Sequence, residues 1–132
     1  AVINKAYFKE PSTLDYNGIW QGKYVEFDAK ECKSTTSFPL SNIHLHQIKH
    51  IEKIIEHGGL AFLIISMNEH YFLFKGSDLI TFIHNNTRKS IPFKVIENLG
   101  YPLKFNYNIG LDYLTGIKEA YEGVGYFENT KD

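Results

Sequence analysis

Alternating polar and apolar residues near the beginning of the chain predict a β-hairpin over residues 13–33. Asn17-Gly18 and Gly22 are turn signals, because asparagine and glycine readily adopt the backbone conformations that tight turns require. Residues 23–33 follow without a glycine or proline and are typical of one long strand. The pattern therefore predicts that two antiparallel strands open the fold.

The strand predicted over residues 23–33 has two different faces, since successive side chains in a strand point to opposite sides of a sheet. One face carries Val25, Phe27 and Ala29, and we expect it to pack against the core. The opposite face carries charged groups, namely Glu26, Asp28 and Lys30. The alternation thus predicts two acids and a lysine together on one side of the sheet.

A loop over residues 34–40 leads to a helix predicted over residues 42–57. Ser41 is a suitable N-cap, and Gly58-Gly59 closes the helix because glycine readily adopts the left-handed conformation found at helix ends. Most of the apolar stripe of this helix comes from four isoleucines: Ile43, Ile48, Ile51 and Ile55.

The rest of the chain alternates between short strands and helices. A solid apolar run predicts a strand over residues 60–65, and a second strand is expected over residues 71–75. The elements predicted after these are a helix over 77–84, a polar basic loop over 85–90, a helical turn over 94–98, an edge strand over 101–107 and a helix over 111–122. This order predicts an α/β fold in which helices flank a mixed central β-sheet.

Length and composition narrow the class of protein. The chain has 132 residues, of which 43% are hydrophobic and 15% aromatic, so we expect one folded domain over residues 1–132 rather than a disordered chain. A formal net charge of −1 argues against a generally basic nucleic-acid coat protein, but it allows a local basic groove. The longest apolar run, residues 60–67, is too short to span a membrane, and the lone Cys32 fits a reducing cytoplasm.

Candidate chemistry comes from Asp15, Asp28 and Lys30. Asp28 follows Asp15 by thirteen positions, and across a hairpin two such residues can lie side by side, about 5 Å apart. Two carboxylates this close repel each other unless a cation or proton lies between them, and carboxylate oxygens suit Mg²⁺ or Mn²⁺. Lys30 shares the strand face of Asp28, where it can orient the attacking water and stabilise charge on a phosphate. A solvated strand face with weak ion pairs is the alternative interpretation of the same pattern.

Four short motifs occur along the chain in the order STLDYNG, FDAKE, SFPL and HQIKH, and RKSIP follows further on. None of these motifs is specific alone, but together and in this order they are. In this order they resemble the RecU family of Holliday junction resolvases, which belong to the PD-(D/E)-x-K nuclease superfamily. The resemblance extends from Ala1 to about Tyr121 and is densest between Tyr7 and Leu40. It implies a restriction-endonuclease-like nuclease core with a protruding stalk.

The resemblance also implies roles for residues that match the family motifs. Asp15 matches the first metal-binding carboxylate, and Thr13 matches a site threonine just before it. Asp28 stands at the second acidic position, where glutamate is usual, and Lys30 matches the catalytic lysine. Gln47 lies on the following helix, where a polar residue near the scissile phosphate is expected. The ligands implied for Mg²⁺ or Mn²⁺ are Asp15, Asp28, the backbone carbonyl of Ala29, and Gln47.

The partners implied by the resemblance are four-way junction DNA and a second copy of the chain. The family acts as a homodimer that cuts two opposing strands of the junction during recombination and repair, which leaves room for other recombination proteins as partners. Residues 1–12 resemble the returning part of a stalk that enters the junction, so Lys5, Phe8 and Lys9 are candidates for DNA contact. Arg88 and Lys89 in the basic loop are candidates for phosphate contact, although a plain solvated loop fits them equally well.

Two departures from the family pattern bear on activity. The resemblance implies a further acidic metal-site residue upstream, on an N-terminal helix that we expect to be missing from this chain. Because the chain also starts at Ala1 without an initiator Met, we expect that an N-terminal segment of the full-length protein is missing. Gly110 stands where family members tend to carry an arginine, so one basic contact is absent.

The sequence also allows functions other than junction cleavage. A junction- or duplex-binding module that does not cleave would account for the missing acid and for aspartate at position 28. A nuclease of the same superfamily acting on linear duplex DNA is a further possibility. His46 and His50 have a spacing that suits zinc, but no third ligand is evident, and we expect these histidines on the helix surface or facing DNA.

Overall fold

A computed structural model describes residues 14–106 and 110–122 of the chain, and the predicted α/β fold with a mixed sheet is confirmed there. The described residues form four α-helices: α1 (Leu45–Glu56), α2 (Gly76–Asn85), α3 (Phe93–Leu99) and α4 (Tyr113–Tyr121). They also form the strands β1 (Tyr16–Trp20), β2 (Lys23–Glu31), β3 (Ser37–Pro39), β4 (Leu60–Met67), β5 (His70–Lys75), β6 (Ser90–Pro92), β7 (Tyr101–Leu103), β8 (Phe105–Asn106) and β9 (Gly110–Leu111).

The central sheet has the strand order β1-β2-β4-β5-β7 within the described residues. Strands β2 and β4 run parallel, with Asp28 beside Leu63, and the other neighbours in this sheet run antiparallel. A parallel pair needs a crossover connection, and α1 supplies it between β2 and β4. The crossover lays α1 over the part of the sheet that carries the charged face of β2.

Helices cover the central sheet on both faces, which explains the uninterrupted apolar run of β4. Leu63 and Ile65 belong to the core that contains α1, α2 and α3 residues, whereas Phe62 and Ile64 belong to the core beneath α4. Because strand side chains alternate between faces, a strand buried on both sides must be apolar at nearly every position. The strands predicted over 60–65 and 71–75 are confirmed as β4 and β5, and the helix over 77–84 is confirmed as α2.

The hairpin is confirmed, but its turn lies later than Asn17-Gly18. Both of those residues lie inside β1, and the turn is formed by Gln21 and Gly22 between the paired residues Trp20 and Lys23. Gln21 and Gly22 have φ values of 49° and 79°. Positive φ at both central residues matches the twist of a two-residue hairpin, and the second of them is glycine, which adopts it without strain.

The assignment of the two faces of β2 is wrong at Ala29. Val25 is buried beneath α4 and Phe27 is half-buried there, but Ala29 is exposed. The first residue of α4, Tyr113, lies against Phe27, so the helix begins at that level and leaves the end of the strand uncovered. The charged face of β2 is the one buried beneath α1.

The beginning of the first long helix also differs from the prediction. A single 3-10 turn covers Leu40–Asn42, and α1 starts only at Leu45, with His44 rather than Ser41 as its N-cap. The predicted loop over residues 34–40 contains β3, which pairs with β6 in a small separate sheet. This pairing joins residues more than fifty positions apart, so no local pattern indicates it.

Toward the end of the chain, the predicted edge strand is divided. Strand β7 forms the edge of the central sheet, while β8 pairs with β9, and Tyr107 lies outside the described residues. The last helix starts at Tyr113 with Asp112 as its cap, since the Asp112 side chain accepts a hydrogen bond from the Thr115 amide. None of the helices in residues 14–106 and 110–122 has the length and apolar character needed to cross a membrane.

Candidate active site

The charged face of β2 is buried beneath α1, which excludes the interpretation of a solvated strand face. Glu26 is 1% exposed and Asp28 is 3% exposed, while Lys30 is half-buried. Burying a charged group is unfavourable unless other groups pair with it or hydrogen-bond to it. The partners of these three side chains therefore indicate what each of them does.

Asp28, Lys30 and Gln47 form a closed triangle of polar contacts. The Lys30 Nζ lies 3.1 Å from Asp28 Oδ2, and the same oxygen accepts a hydrogen bond of 3.1 Å from Gln47 Nε2. Lys30 Nζ in turn donates to Gln47 Oε1 at 3.1 Å. Each polar end of the glutamine amide thus contacts the group of opposite character, and the three predicted site residues are brought together.

Gln47 reaches this position because it occupies an apolar position of the helix pattern. The buried residues of α1 are Gln47, Ile51 and Ile54, spaced as one stripe that faces the sheet. The Gln47 Oε1 also accepts a hydrogen bond of 3.3 Å from the backbone amide of His44, the N-cap residue. The glutamine therefore caps the helix and holds the site residues at once.

Asp28 retains one carboxylate oxygen that can bind a cation. Oδ1 is buried and has no hydrogen-bond partner among the described residues, whereas Oδ2 contacts both Lys30 and Gln47. An unsatisfied buried carboxylate oxygen costs stability, so its presence calls for a ligand or a functional reason. A hard anionic oxygen of this kind fits Mg²⁺ or Mn²⁺.

The other predicted ligands lie around Asp28 in the chain. Asp15 is exposed and directly precedes β1, where Tyr16 pairs with Phe27, so the register continued by one residue sets Asp15 across from Asp28. Ala29 lies between Asp28 and Lys30 on β2. Thr13, predicted as a site threonine rather than a ligand, lies outside the described residues. Within residues 14–106 and 110–122, no three His, Cys, Asp or Glu side chains form a metal-binding group. The assignment of these residues as ligands stays a prediction.

Glu26 and His50 form a second buried polar cluster that the sequence interpretation did not identify. His50 Nε2 lies 2.8 Å from Glu26 Oε2, so the imidazole is directed into the protein. The prediction that His50 faces solvent or DNA is therefore wrong. The Tyr24 hydroxyl donates to Glu26 Oε1, and burial together with this carboxylate raises the pKa of Tyr24 well above its usual range. The available signal was positional: Glu26 shares the strand face of Asp28, and His50 follows Gln47 by about one helical turn.

Two of the five candidate DNA-contact residues, Arg88 and Lys89, lie in the part of the chain that the structure describes. Arg88 and Lys89 are exposed in the loop between α2 and β6, and they line a surface depression of about 560 Å³ with Leu45 and Ile48 of α1. The basic pair is thus next to the helix end that carries Gln47. Lys5, Phe8 and Lys9 lie outside the described residues.

Replacing Gln47 with leucine is expected to lower the free energy of unfolding by about 1–3 kcal/mol, because Asp28, Lys30 and the His44 amide each lose a hydrogen-bond partner. Urea denaturation followed by circular dichroism measures the change. Lys49→Leu is the matched control, since it places the same side chain at an exposed position of α1. Equal unfolding free energies for the two variants would contradict a structural role for the Gln47 contacts.

The chain matches the family model described as Recombination protein U (RecU) over residues 1–119. A curated relative named Holliday junction resolvase RecU, from Oceanobacillus iheyensis, is 44% identical over 126 residues, which cover 92% of this chain and 64% of the relative. The protein of the same name from Leuconostoc mesenteroides is 45% identical over 128 residues, which cover 94% of this chain and 62% of the relative. The chain therefore spans less than two thirds of the length of the curated relatives it matches.

Proposed function

The chain belongs to the RecU family, and on this premise we propose that the protein is an endonuclease that cleaves four-way (Holliday) DNA junctions in homologous recombination and repair. The observation that carries the proposal is the buried Asp28 carboxylate, which has one unpartnered oxygen and Lys30 Nζ at 3.1 Å from the other. A carboxylate with a free oxygen beside an ammonium group suits phosphodiester hydrolysis assisted by a divalent cation.

We propose Mg²⁺ or Mn²⁺ as the cofactor, held by Asp28 Oδ1, Asp15 and the Ala29 carbonyl. Gln47, whose side-chain oxygen already accepts hydrogen bonds from Lys30 and the His44 amide, positions the site rather than binding the ion. When bound, the cation supplies positive charge for the phosphate under attack and makes a water molecule easier to deprotonate. Asp28 uses its two oxygens differently, since Oδ2 is already held by Lys30 and Gln47 and only Oδ1 faces no described partner. Burial beneath α1 excludes bulk water from the carboxylate and strengthens its interactions with charged groups.

Lys30 acts on the phosphate. Its ammonium group is held by Asp28 Oδ2 and Gln47 Oε1 and lies at a half-buried position, so its direction is set before the substrate arrives. A preorganised positive charge stabilises negative charge that develops on phosphate oxygens during attack, without reorganising in the reaction. Lys30 Nζ also orients the attacking water by donating a hydrogen bond to it.

The proposed DNA contacts and assembly rest on membership of the RecU family and on two exposed basic residues near α1. Arg88 and Lys89 are exposed cations near the first turns of α1, where they can contact backbone phosphates beside the cleaved one. Resolution of a junction needs two symmetric cuts, which a two-fold symmetric homodimer supplies with one site per subunit. We further propose that the protein acts in the cytoplasm, where the buried thiol of Cys32 stays reduced, and that other recombination proteins contact it.

The full-length protein is expected to cut a synthetic mobile four-way junction by paired, symmetric nicks in Mg²⁺ or Mn²⁺, and to cut a linear duplex of the same sequence much more slowly. Strand-specific end labels and denaturing gels measure both rates. Equal rates on the two substrates would favour a nuclease of linear duplex DNA. Tight junction binding without cleavage in either cation would identify a binding module and reject the proposal.

A further inference from the structure

Two buried carboxylates lie two residues apart on the same face of β2, and their environments differ. Asp28 has an oxygen without a described partner, whereas both oxygens of Glu26 are engaged. Glu26 Oε1 accepts from the Tyr24 hydroxyl, and Oε2 contacts both the Leu14 backbone amide at 3.0 Å and His50 Nε2 at 2.8 Å. A carboxylate with these partners is suited to holding other groups in place rather than to binding an ion.

The partners of Glu26 belong to the segments that carry the proposed active site. Leu14 lies between Thr13 and Asp15, and its amide is bound directly by Glu26 Oε2. His50 lies on α1, which also carries Gln47, and Glu26 itself precedes Asp28 by two residues on β2. One buried side chain therefore joins the three chain segments that carry Asp15, Asp28 and Gln47.

We propose that Glu26, supported by His50, is a positioning residue that fixes the backbone of Leu14 and thereby the place of Asp15 relative to Asp28 at the cation site. This inference rests on the proposed function, because it assumes that Asp15 and Asp28 hold the same cation. Asp15 directly precedes the first residue of β1, so the hairpin register constrains the backbone on one side of it. The hydrogen bond from the Leu14 amide to Glu26 constrains the backbone on its other side.

The expected consequence is a change in cation affinity. Groups that orient the ligands of a metal site commonly affect its metal affinity by about 10–100-fold when they are replaced. Glu26→Met keeps an unbranched side chain of similar length but removes both acceptor oxygens, so the Leu14 amide loses its partner. Glu26→Gln keeps an oxygen for Leu14 and His50 and an amide group for the Tyr24 hydroxyl, which itself can accept a hydrogen bond.

Isothermal titration of the full-length variants with Mn²⁺, without DNA, is the test. We expect Glu26→Met to weaken Mn²⁺ binding about tenfold or more and Glu26→Gln to stay within about threefold of the parent. Tyr121→Phe is the matched control, since it removes a hydrogen bond of 3.2 Å to the Ala61 carbonyl, and Tyr121 and Leu14 pack in the cores on opposite faces of the sheet. This control is expected to lower the melting temperature and leave Mn²⁺ affinity unchanged.

The outcomes separate the inference from the proposed function. A Glu26→Met protein that melts at a lower temperature but binds Mn²⁺ as tightly as the parent would overturn the positioning role. If Glu26→Met does not fold, His50→Leu decides in its place: weaker Mn²⁺ binding supports the role, and unchanged binding overturns it. A parent protein that binds no Mn²⁺ would overturn the proposed metal site and the inference with it.

Discussion

Replacing Asp28 with asparagine is expected to slow junction cleavage by about a thousandfold, the size of effect seen when one key electrostatic group is removed from an active site. Asparagine keeps the volume of the side chain and can still accept from Lys30 and Gln47 through the oxygen at the Oδ2 position. What it removes is the negative charge and the acceptor at Oδ1, the oxygen proposed to hold the cation. Single-turnover cleavage of a labelled four-way junction at saturating Mg²⁺ measures the effect.

A control for Asp28→Asn is available on the same strand. Glu31→Gln makes the same change of charge at an exposed position three residues later, and it is expected to cleave at nearly the parent rate. Junction binding without a divalent cation should persist in both variants, because neither change removes a basic residue. An Asp28→Asn protein that cuts as fast as the parent would show that the site has been assigned to the wrong residues.

The second large effect is expected for Lys30→Met, which keeps most of the aliphatic stem and removes the ammonium group. We expect cleavage to fall by about 10²–10³-fold at saturating metal, since a preorganised positive charge at the phosphate is lost. Mn²⁺ affinity should not fall, because removing a cation that lies 3.1 Å from Asp28 Oδ2 leaves that carboxylate more available to a metal ion. Single-turnover cleavage and Mn²⁺ titration together measure the two effects.

Lys30→Met is also expected to lower the free energy of unfolding. Without the ammonium group the buried Asp28 loses its charge partner, so the free energy of unfolding in chelator should fall by about 3 kcal/mol. Added Mn²⁺ should restore part of this loss by binding the folded state. Lys23→Met, at an exposed position at the other end of β2, is expected to change neither cleavage nor stability. A variant in which lost cleavage is fully explained by weaker Mn²⁺ binding would contradict a direct role for Lys30 at the phosphate.

Much of the candidate site could be predicted because it depends on the two-residue period of a strand. Asp28 and Lys30 must share a face of β2 wherever the strand lies, and Glu26 must share it with them. The role of Gln47 came from the family resemblance instead, and the structure sets its side chain on one helical face with Ile51 and Ile54. The family resemblance added roles to these residues, and the match to the RecU family model confirms the resemblance.

The hairpin turn and the start of α1 were predicted wrongly because each segment contains two acceptable local signals. Asn17-Gly18 is as good a turn signal as Gln21-Gly22, and the pairing of Trp20 with Lys23 decides between them. Ser41 is a good N-cap by residue type, but the chain first makes a 3-10 turn and α1 begins after His44. In both cases the surrounding packing selected one of two acceptable signals.

The sequence by itself determined which residues share a face, because alternation in a strand and the helical period are properties of the local backbone. It could not determine which face is buried, since that depends on which helix covers it. The crossover helix α1 lies over Glu26, Asp28 and Lys30, and α4 begins too late to cover Ala29. Only this tertiary arrangement leaves Oδ1 of Asp28 buried without a described partner while Glu26 binds the Leu14 amide and His50. Two acids that look alike along the strand thereby acquire different roles.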